Sequence, residues 1–244
     1  MRLNRIYVPG TLASDNDVAL TPGGANHVAR VLRMRVGEQL AVFDGHGNEF
    51  HAELARIEGN NVTVRIGAQI AGTPQSPLKI TLVQGISRGE RMDWALQKAT
   101  ELGVNVIAPV ITARSVVRLD EKQSAKKREH WQQIVIGACE QSGRSHVPEV
   151  LAPISLRQYL QDHPKSGLRL VLSPTGPSAL AGLTSMSTRV ELLIGPEGGL
   201  DDEEIERAQA ASFVPVRLGP RVLRTETAAV TALTVLQAMW GDLA

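Results

Sequence analysis

The chain has 244 residues, of which 43% are hydrophobic and 21% are charged, a composition typical of a soluble globular protein. No apolar run approaches the roughly 20 residues that a membrane helix needs, and the opening MRLNRIYVPG lacks the apolar core of a signal peptide. The formal net charge of +1 neither indicates nor excludes a nucleic-acid partner, which would have to use local basic patches.

The cysteine and histidine content limits the possible chemistry. Because Cys139 is the only cysteine, an internal disulfide is excluded and a reducing, cytoplasmic location is expected. We interpret Cys139 as a small buried residue rather than a nucleophile, since no histidine-rich neighbourhood accompanies it. The six histidines lack metal-ligand spacing, so we expect no metal site, and we expect no membrane association.

The first seventy or so residues are predicted to be mostly β-structure, with turns at DGHGN and EGNN. One segment, ANHVARVLRM, is predicted to be helical. The segment AGTPQSPLKI is rich in proline and small polar residues and is predicted to be a linker. We place the domain boundary there, between 1–73 and 74–244. The predicted strands of the first domain are QLAVFDG, NEFHAELARI and NVTVRIGAQI.

After the linker, strand patterns alternate with helix patterns, which indicates an α/β domain with a mostly parallel sheet. The predicted strands are LKITLVQG, VNVIAPVIT, LRLVLSP, RVELLIG and VPVRLGP. The predicted helices are RMDWALQKATELG, DEKQSAKKREHWQQIVIGACEQSG, DDEEIERAQAA and TETAAVTALTVLQAMW.

Three of these strands end in turns marked by glycine and proline: VLSPTG (171–176), LIGPEGG (193–199) and RLGPRVLRTE (217–226). Ligands of open α/β sheets bind outside the carboxyl ends of the strands. Glycine lets a ligand approach the backbone closely, and proline stiffens a loop. Any one of these turns is more often an ordinary loop, but three of them together favour a ligand site.

The chemistry of the turns favours a compact, positively charged ligand with an adenine that backbone groups recognise. The dinucleotide pattern G-x-G-x-x-G and the P-loop pattern are both absent from the chain. After Gly199, the segment LDDEEIERA begins a helix with a run of four carboxylates at its start, where the helix dipole favours them. The same carboxylates would repel a phosphate group.

The motifs LLIGPEGGL and LGPRVLRTETA closely resemble the two signature motifs of the ribosomal small-subunit RNA methyltransferase E family. The segments ISRGERMDWALQKATELGV, ACEQSGR and HVARVLRMR are similar to the family's other blocks, so the resemblance covers nearly the whole chain. The family belongs to the SPOUT superfamily, and the resemblance implies methylation of N3 of a uridine in 16S rRNA.

The resemblance also implies a fold and partners. It implies a PUA-like, RNA-binding β domain over 1–73, followed over 74–244 by an α/β SPOUT methyltransferase domain with a deep trefoil knot. General chain-topology rules argue against knots, so only the family supports this one. It further implies S-adenosylmethionine as cofactor, a homodimer with its active site near the interface, and 16S rRNA of the small ribosomal subunit as partner.

We expect the three strand ends to hold S-adenosylmethionine largely through backbone atoms. The expected cofactor-binding residues are Leu172, Ser173, Pro174, Ile194, Gly195, Pro196, Glu197, Gly198, Gly199, Leu218, Gly219, Val222, Leu223, Thr225, Thr227 and Ala228.

Methylation of uridine N3 requires loss of the proton on that nitrogen, so a base and a group that stabilises the anionic ring are useful. Glu226 and Glu140 are the candidates for the base, and Arg224 and Arg88 are the candidates for stabilising charge on the uracil oxygens. Two structural roles stay open as alternatives: Glu226 as a partner of the helix dipole, and Arg224 in a loop-fixing salt bridge.

The segment HVARVLRMR holds three arginines and no acid, and Arg30 and Arg33 are spaced to share one helix face. We expect it to contact RNA, with an ordinary solvated face as the alternative. A second basic stripe over 114–126 is interrupted by acids and is an equally open possibility. The expected RNA-binding residues are Arg5, His27, Arg30, Arg33, Arg35, Arg91 and Arg144.

Two further functions stay open. One is a SPOUT-type methyltransferase that acts on tRNA, and the other is a non-catalytic RNA-binding protein of ribosome assembly. A pure binding module would not need the three strand-end turns, which are intact here. The class of RNA that receives a methyl group distinguishes the two enzymes.

Overall fold

The computed structural model describes residues 3–115, 120–162, 167–184 and 186–243. Contacts group the chain into two compact units. The first unit contains Met1–Gln75 and Ile136–Val147, and the second contains Ser76–Val135 and Pro148–Ala244. The sequence did not indicate that a segment from the middle of the chain belongs with its beginning. The domain division at residues 73 and 74 stays a prediction.

The first unit is built on a five-stranded sheet with the order β1-β3-β4-β5-β2. The β1–β3 pair is parallel and the other pairs are antiparallel. The three predicted strands are confirmed as β3, β4 and β5, whereas β1 and β2 are too short to show a periodicity. The elements are β1 (Arg5–Tyr7), β2 (Asp17–Ala19), α1 (Pro22–Asn26), a π-helix (His27–Val31), β3 (Gln39–Phe43), β4 (Glu49–Glu58) and β5 (Asn61–Ile70).

The two long strands of the first-unit sheet, β4 and β5, alternate between buried and more exposed side chains. In β4, Ala52 and Leu54 are buried, whereas His51 and Glu53 are exposed, as a period of two residues requires. The buried side chains join those of the neighbouring strands in one hydrophobic core, which is the main source of stability of such a sheet.

The prediction of one helix over ANHVARVLRM is wrong in its extent. α1 passes directly into the π-helix, which ends at Val31. Arg33 has a φ of 53°, in the left-handed region that side chains other than glycine seldom adopt. Arg30 and Arg33 therefore do not share one helix face, although both are exposed.

The second unit is an α/β structure, and helix α3 crosses from it into the segment that belongs with the first unit. No described helix is both long enough and apolar enough to cross a membrane. The elements are β6 (Lys79–Gly85), α2 (Glu90–Glu101), β7 (Val106–Ile111), α3 (Glu121–Ser142), β8 (Glu149–Val150), β9 (Ile154–Ser155), α4 (Leu156–Asp162), β10 (Leu168–Leu172), β11 (Ser178–Ala179), a 3-10 helix (Leu180–Gly182), β12 (Arg189–Ile194), α5 (Asp202–Ala210), β13 (Val214–Arg217) and α6 (Thr225–Trp240).

The predicted parallel sheet is confirmed. Its eight strands include the path β11-β13-β10-β12-β6-β7-β8, with β9 paired to β7, and the described pairs are parallel. Because β13, β10 and β12 are neighbours and run in one direction, their carboxyl ends meet at the same edge of the sheet. This is the edge at which parallel sheets bind ligands.

A buried ion pair joins two of these three strands. Arg169 of β10 stands opposite Glu191 of β12, and their side chains lie 2.8 Å apart with little exposure to solvent. The Arg169 guanidinium also lies 4.4 Å from the ring centre of Phe213. Since an unpaired buried charge is costly, this pair holds β10 and β12 in register.

Candidate active site

A cavity of about 640 Å³ opens at the carboxyl edge of the second-unit sheet. The turns after β10 and β12, the segment between β13 and α6, and one face of α5 form its walls. The three strand ends that the sequence singles out therefore converge on one cavity. The expected residues that line it are Leu172, Ser173, Pro174, Ile194, Gly195, Pro196, Glu197, Gly198, Gly199, Leu218, Gly219, Val222, Leu223, Thr225 and Ala228.

The cavity wall lacks one expected residue and includes ten that the sequence did not indicate. Thr227 is exposed on the first turn of α6 and is not among the described residues that line the cavity. The α5 residues at 202, 205, 206 and 209 share a helix face, and this spacing was a usable signal that the sequence analysis missed. The unexpected lining residues are Arg114, Thr175, Leu200, Asp202, Ile205, Glu206, Gln209, Val216, Arg217 and Arg221.

Close packing around the turn after β12 leaves room only for glycine at two positions, one in the turn and one at the end of β6. A Cβ at Gly195 would lie 2.8 Å from the backbone of Gly199 and Leu200. A Cβ at Gly85, the last residue of β6, would lie 2.5 Å from the nitrogen of Pro196. The turn therefore folds on itself and rests directly on the end of β6.

Two side chains tie the same turn to its surroundings. Thr225, at the start of α6, donates from Oγ1 to the carbonyl oxygen of Gly195 at 2.7 Å. Arg114 donates from Nη1 to the carbonyl oxygen of Gly198 at 2.9 Å. These bonds hold the turn to the start of α6 and to the segment after β7.

Glu197, the carboxylate in the middle of the turn, is also engaged. Its Oε1 accepts hydrogen bonds from the backbone nitrogen of Arg88 at 2.9 Å and from Nη1 of Arg91 at 3.1 Å. Burial alone would raise the pKa of Glu197, but these hydrogen bonds and the charge of Arg91 outweigh it and hold the pKa below its ordinary value. Arg88 and Arg91 are thus brought to the turn, with the side chain of Arg88 exposed.

The carboxylates after Gly199 divide between structural and cavity-facing roles. Asp201 and Glu204 form a reciprocal capping box at the start of α5. Glu203 pairs with Arg207 on the next turn of the helix. Only Asp202 of these four acids lines the cavity, where Glu206 joins it. Three arginines line the cavity as well, so its wall carries both signs of charge.

Two of the catalytic candidates flank Thr225 at the beginning of α6. Arg224 is the exposed N-cap residue, and its side chain makes no capping hydrogen bond. Glu226 is half-buried, and its Oε2 is buried with no hydrogen-bond partner among the residues that the structure describes. Neither Arg224 nor Glu226 is among the described residues that line the cavity, although Thr225 between them is.

Glu140 belongs to the first unit, whereas the other catalytic candidates belong to the second. Its Oε1 accepts a hydrogen bond from the backbone nitrogen of Tyr7 at 3.0 Å. Burial raises the pKa of Glu140 despite that hydrogen bond. Cys139 beside it is fully buried, and burial raises the pKa of its thiol to about 11, as suits a packing residue rather than a nucleophile.

Known families account for both parts of the chain. A family described as an RNA methyltransferase domain matches residues 74–237, and one described as an RNA methyltransferase PUA domain matches residues 20–67. The ribosomal RNA small subunit methyltransferase E of Buchnera aphidicola (subspecies Schizaphis graminum) is 34% identical over 99% of this chain and 98% of its own length. The chain belongs to the ribosomal RNA small subunit methyltransferase E family.

Solved structures agree with this family membership. A ribosomal RNA small subunit methyltransferase E of Neisseria gonorrhoeae, bound to S-adenosylmethionine, is 40% identical with a TM-score of 0.91 over the full length of both chains. A protein of Legionella pneumophila, solved with its bound cofactor S-adenosylmethionine, is 46% identical with a TM-score of 0.95 over the full length of both. The fold expected from the family resemblance, a PUA domain and an α/β methyltransferase domain, is therefore confirmed.

Among the RNA-binding candidates, Arg5 needs a correction. Its guanidinium is buried and forms a paired contact with the carboxylate of Glu49, at 2.8 Å for both Nε and Nη2. Nη1 donates to the carbonyl oxygen of Cys139 at 2.7 Å, and Nη2 also reaches Ser145 at 3.2 Å. Arg5 has a structural role, since every guanidinium nitrogen has a partner inside the first unit. Nothing in the local sequence indicates that Arg5 is buried.

The other RNA-binding candidates of the first unit are more accessible. Arg30, Arg33 and Arg35 are exposed, and Arg30 donates from Nη2 to Oδ1 of Asn60 at 3.0 Å. His27 and Arg144 are half-buried. Arg118 of the second basic stripe lies outside the described residues. No group of three or more histidine, cysteine, aspartate or glutamate side chains suited to a metal ion occurs in the part of the chain described.

Proposed function

We propose that this protein transfers a methyl group from S-adenosylmethionine to N3 of a specific uridine in 16S rRNA. The observation that carries the proposal is the convergence of the family's two signature motifs, LLIGPEGGL and LGPRVLRTETA, on one cavity at the carboxyl edge of a parallel sheet. Family membership supports an RNA methyltransferase. Relatives at 46% and 40% identity hold S-adenosylmethionine, which supports the choice of cofactor.

The cavity fits such a cofactor in size and in chemistry. Its volume of about 640 Å³ lies within the range of small-molecule sites. Close packing at Gly195 leaves backbone groups rather than side chains at this part of the wall. We propose that the fifteen expected residues that line the cavity hold the cofactor, and that Thr227 does not contact it. When bound, S-adenosylmethionine supplies an activated methyl group on a sulfonium cation.

The chain's own task is to orient the uracil ring and remove the proton on N3. We propose Glu226 as the base, because its Oε2 is buried and without a partner among the described residues, next to the lining residue Thr225. We propose Arg224 for stabilising negative charge on the uracil oxygens, since its exposed side chain makes no capping bond. Orientation of this kind is worth roughly 7–11 kcal/mol in favourable cases.

Glu140 and Arg88 are the second choices for the same roles. The backbone nitrogen of Arg88 binds Glu197, which brings its exposed side chain to the turn after β12. Glu140 has the raised pKa that suits a base, but its carboxylate is bonded to Tyr7 within the first unit. Replacing each acid by glutamine distinguishes Glu226 from Glu140. The variant of the true base should lose methyl transfer and keep its affinity for the cofactor.

The RNA surface is proposed to lie on the first unit, around the end of its π-helix. Three exposed arginines occur there within six residues, and phosphate contacts of this kind position RNA without reading its sequence. His27, Arg91 and Arg144 are further candidates, with Arg91 paired to Glu197 in this structure. The target base has to leave its stack to reach a cavity, which such an anchoring surface assists. The proposed RNA-binding residues of this surface are Arg30, Arg33 and Arg35.

Three finer features of the family are proposed as well: a trefoil knot, a homodimer and a cytoplasmic location. The knot is supported by the path of the chain after β13. β13 lies beyond β10, yet the following helix α6 packs against α2, and its first residue bonds to the turn after β12. Sedimentation tests the homodimer: a mass twice the chain's 26.3 kDa is expected, and a monomer would contradict it.

Labelled methyl transfer tests the function. The protein is incubated with S-adenosylmethionine that carries a labelled methyl group and with rRNA or tRNA, and the modified nucleoside is identified by mass spectrometry. We expect 3-methyluridine in 16S rRNA. Label in tRNA would favour the tRNA enzyme, and cofactor binding without any transfer would favour a non-catalytic assembly protein. The names of the curated relatives refer to ribosomal RNA and favour the first outcome.

A further inference from the structure

A glutamine behind the cavity wall is bonded to the residue that holds the wall together. Gln84, near the end of β6, is fully buried. Its Nε2 donates to Oγ1 of Thr225 at 3.0 Å and to the carbonyl oxygen of Gly85 at 3.1 Å. Thr225 Oγ1 in turn donates to the carbonyl oxygen of Gly195 at 2.7 Å. The three bonds connect β6, the start of α6 and the turn after β12.

These hydrogen bonds have a fixed direction. An amide nitrogen can only donate, so the Thr225 hydroxyl must accept from Gln84 and has one proton left to give. The carbonyl oxygen of Gly195 can only accept, so that proton goes to it. With Gln84 as donor to it, the Thr225 hydroxyl directs its own proton to Gly195, on a second wall of the cavity. Gln84 itself is not among the described residues that line the cavity.

Stability of the fold does not explain a glutamine at this position. Its Oε1 is buried and has no hydrogen-bond partner in the described parts of the chain. A buried carbonyl without a partner is unfavourable, whereas methionine has nearly the same shape and carries no such group. The advantage of the amide over an apolar side chain therefore lies in the two bonds that Nε2 makes, of which the one to Thr225 reaches a residue of the cavity wall.

We infer that Gln84 is a positioning residue for cofactor binding, which acts by directing the Thr225 hydroxyl onto Gly195 and so fixing the two walls of the cavity against each other. The inference rests on the proposed function, because it assigns the effect to the cofactor site. Gly85 strengthens the connection, since its missing side chain lets the turn rest on the end of β6.

The test uses the full chain and measures two quantities for each variant, the affinity for S-adenosylmethionine by calorimetry and the unfolding temperature without ligand. Gln84→Met should weaken binding by roughly threefold to tenfold, the effect of one lost hydrogen bond. Its unfolding temperature should change little, because the loss of the two Nε2 bonds is offset by the removal of an unpaired buried carbonyl. Thr225→Val should weaken binding at least as much.

The double variant shows whether Gln84 acts through Thr225. If it does, adding Gln84→Met to Thr225→Val should weaken binding little further, and the two effects should be strongly non-additive. Additive losses would contradict this route. Gln84→Leu serves as a second apolar variant. If neither apolar variant folds, the amide has a purely structural role and the inference is wrong.

Gln237 supplies a matched control in the same unit. It is also fully buried, and both of its amide atoms are bonded, Oε1 to Ser76 at 2.7 Å and Nε2 to the carbonyl oxygen of Leu102 at 2.9 Å. Gln237→Met should lower the unfolding temperature and leave cofactor affinity unchanged. If Gln84→Met binds S-adenosylmethionine as tightly as the wild type, the inference is wrong and the proposed function is unaffected. If the wild-type protein does not bind S-adenosylmethionine, both the proposed function and the inference are wrong.

Discussion

Replacement of Gly195 by alanine tests the proposed cofactor site at its tightest point. The added Cβ would lie 2.8 Å from the carbonyl carbon of Gly199 and 2.8 Å from the nitrogen of Leu200. Both atoms belong to the backbone, so no side chain can rotate out of the way. The turn after β12 must open by about 0.7 Å to reach ordinary van der Waals contact.

The two consequences of this displacement differ in size. Overpacking of a well-packed site costs about 1–3 kcal/mol, which lowers the unfolding temperature of a chain of this length by roughly 2–12 °C. Binding should suffer more, because the same turn supplies six of the residues that line the cavity, from Gly195 to Leu200. We expect the affinity for S-adenosylmethionine to fall at least about tenfold, since small misplacements in a preorganised site are costly.

Calorimetry at a temperature where both proteins are folded measures this affinity. Gly182→Ala is the matched control, because Gly182 lies in the same unit and an added Cβ there would meet nothing within 4 Å. The control should bind like the wild type. A Gly195→Ala protein that unfolds earlier but binds the cofactor with unchanged affinity would refute the assignment of this turn to the cofactor.

Three further predictions concern the first unit. Arg5→Met removes the guanidinium that pairs with the buried carboxylate of Glu49, so the free energy of unfolding in urea should fall by about 3–5 kcal/mol, with the salt dependence of RNA binding unchanged. Burial raises the pKa of Glu140, so its ionised form opposes folding. Glu140→Gln should therefore be the more stable protein near neutral pH, and the difference should vanish as pH falls below the ordinary carboxyl pKa. Arg30→Ala combined with Arg33→Ala should flatten the plot of log RNA affinity against log salt by about 0.7–0.9 per arginine, whereas Arg56→Ala, whose side chain pairs with Glu58 at 3.6 Å, should flatten it less.

The elements that the sequence predicts well are those with enough residues to show a period. β4 and β5 each have ten residues with regular alternation, and α6 has sixteen, and all three lie where the sequence predicts them. The short strands β1, β8, β9 and β11 depend on their neighbours for pairing, so no local pattern identifies them. The π-helix escaped prediction because its residues fit an ordinary helix equally well.

Some parts of the candidate site can likewise be predicted from local sequence, and others cannot. Glycine and proline at the strand ends identify the turns, because these residues have a local conformational role. The position of Arg114 in the cavity wall depends on how β7 and β12 are arranged in the sheet, which no local pattern shows. Arg5 illustrates the opposite error: its charge suggested a surface role, while a partner 44 residues away in sequence buries it. Gln84 carries no motif of its own and is found only from its hydrogen bonds.

A crystal structure of this protein with S-adenosylmethionine tests the central claim most directly. We predict that the cofactor lies in the cavity at the carboxyl edge of the second-unit sheet. Its adenine should contact backbone atoms of the turns after β10 and β12 and of the segment between β13 and α6, with Thr225 still bonded to Gly195. A cofactor bound elsewhere, or held without contact to these three strand ends, would contradict the account.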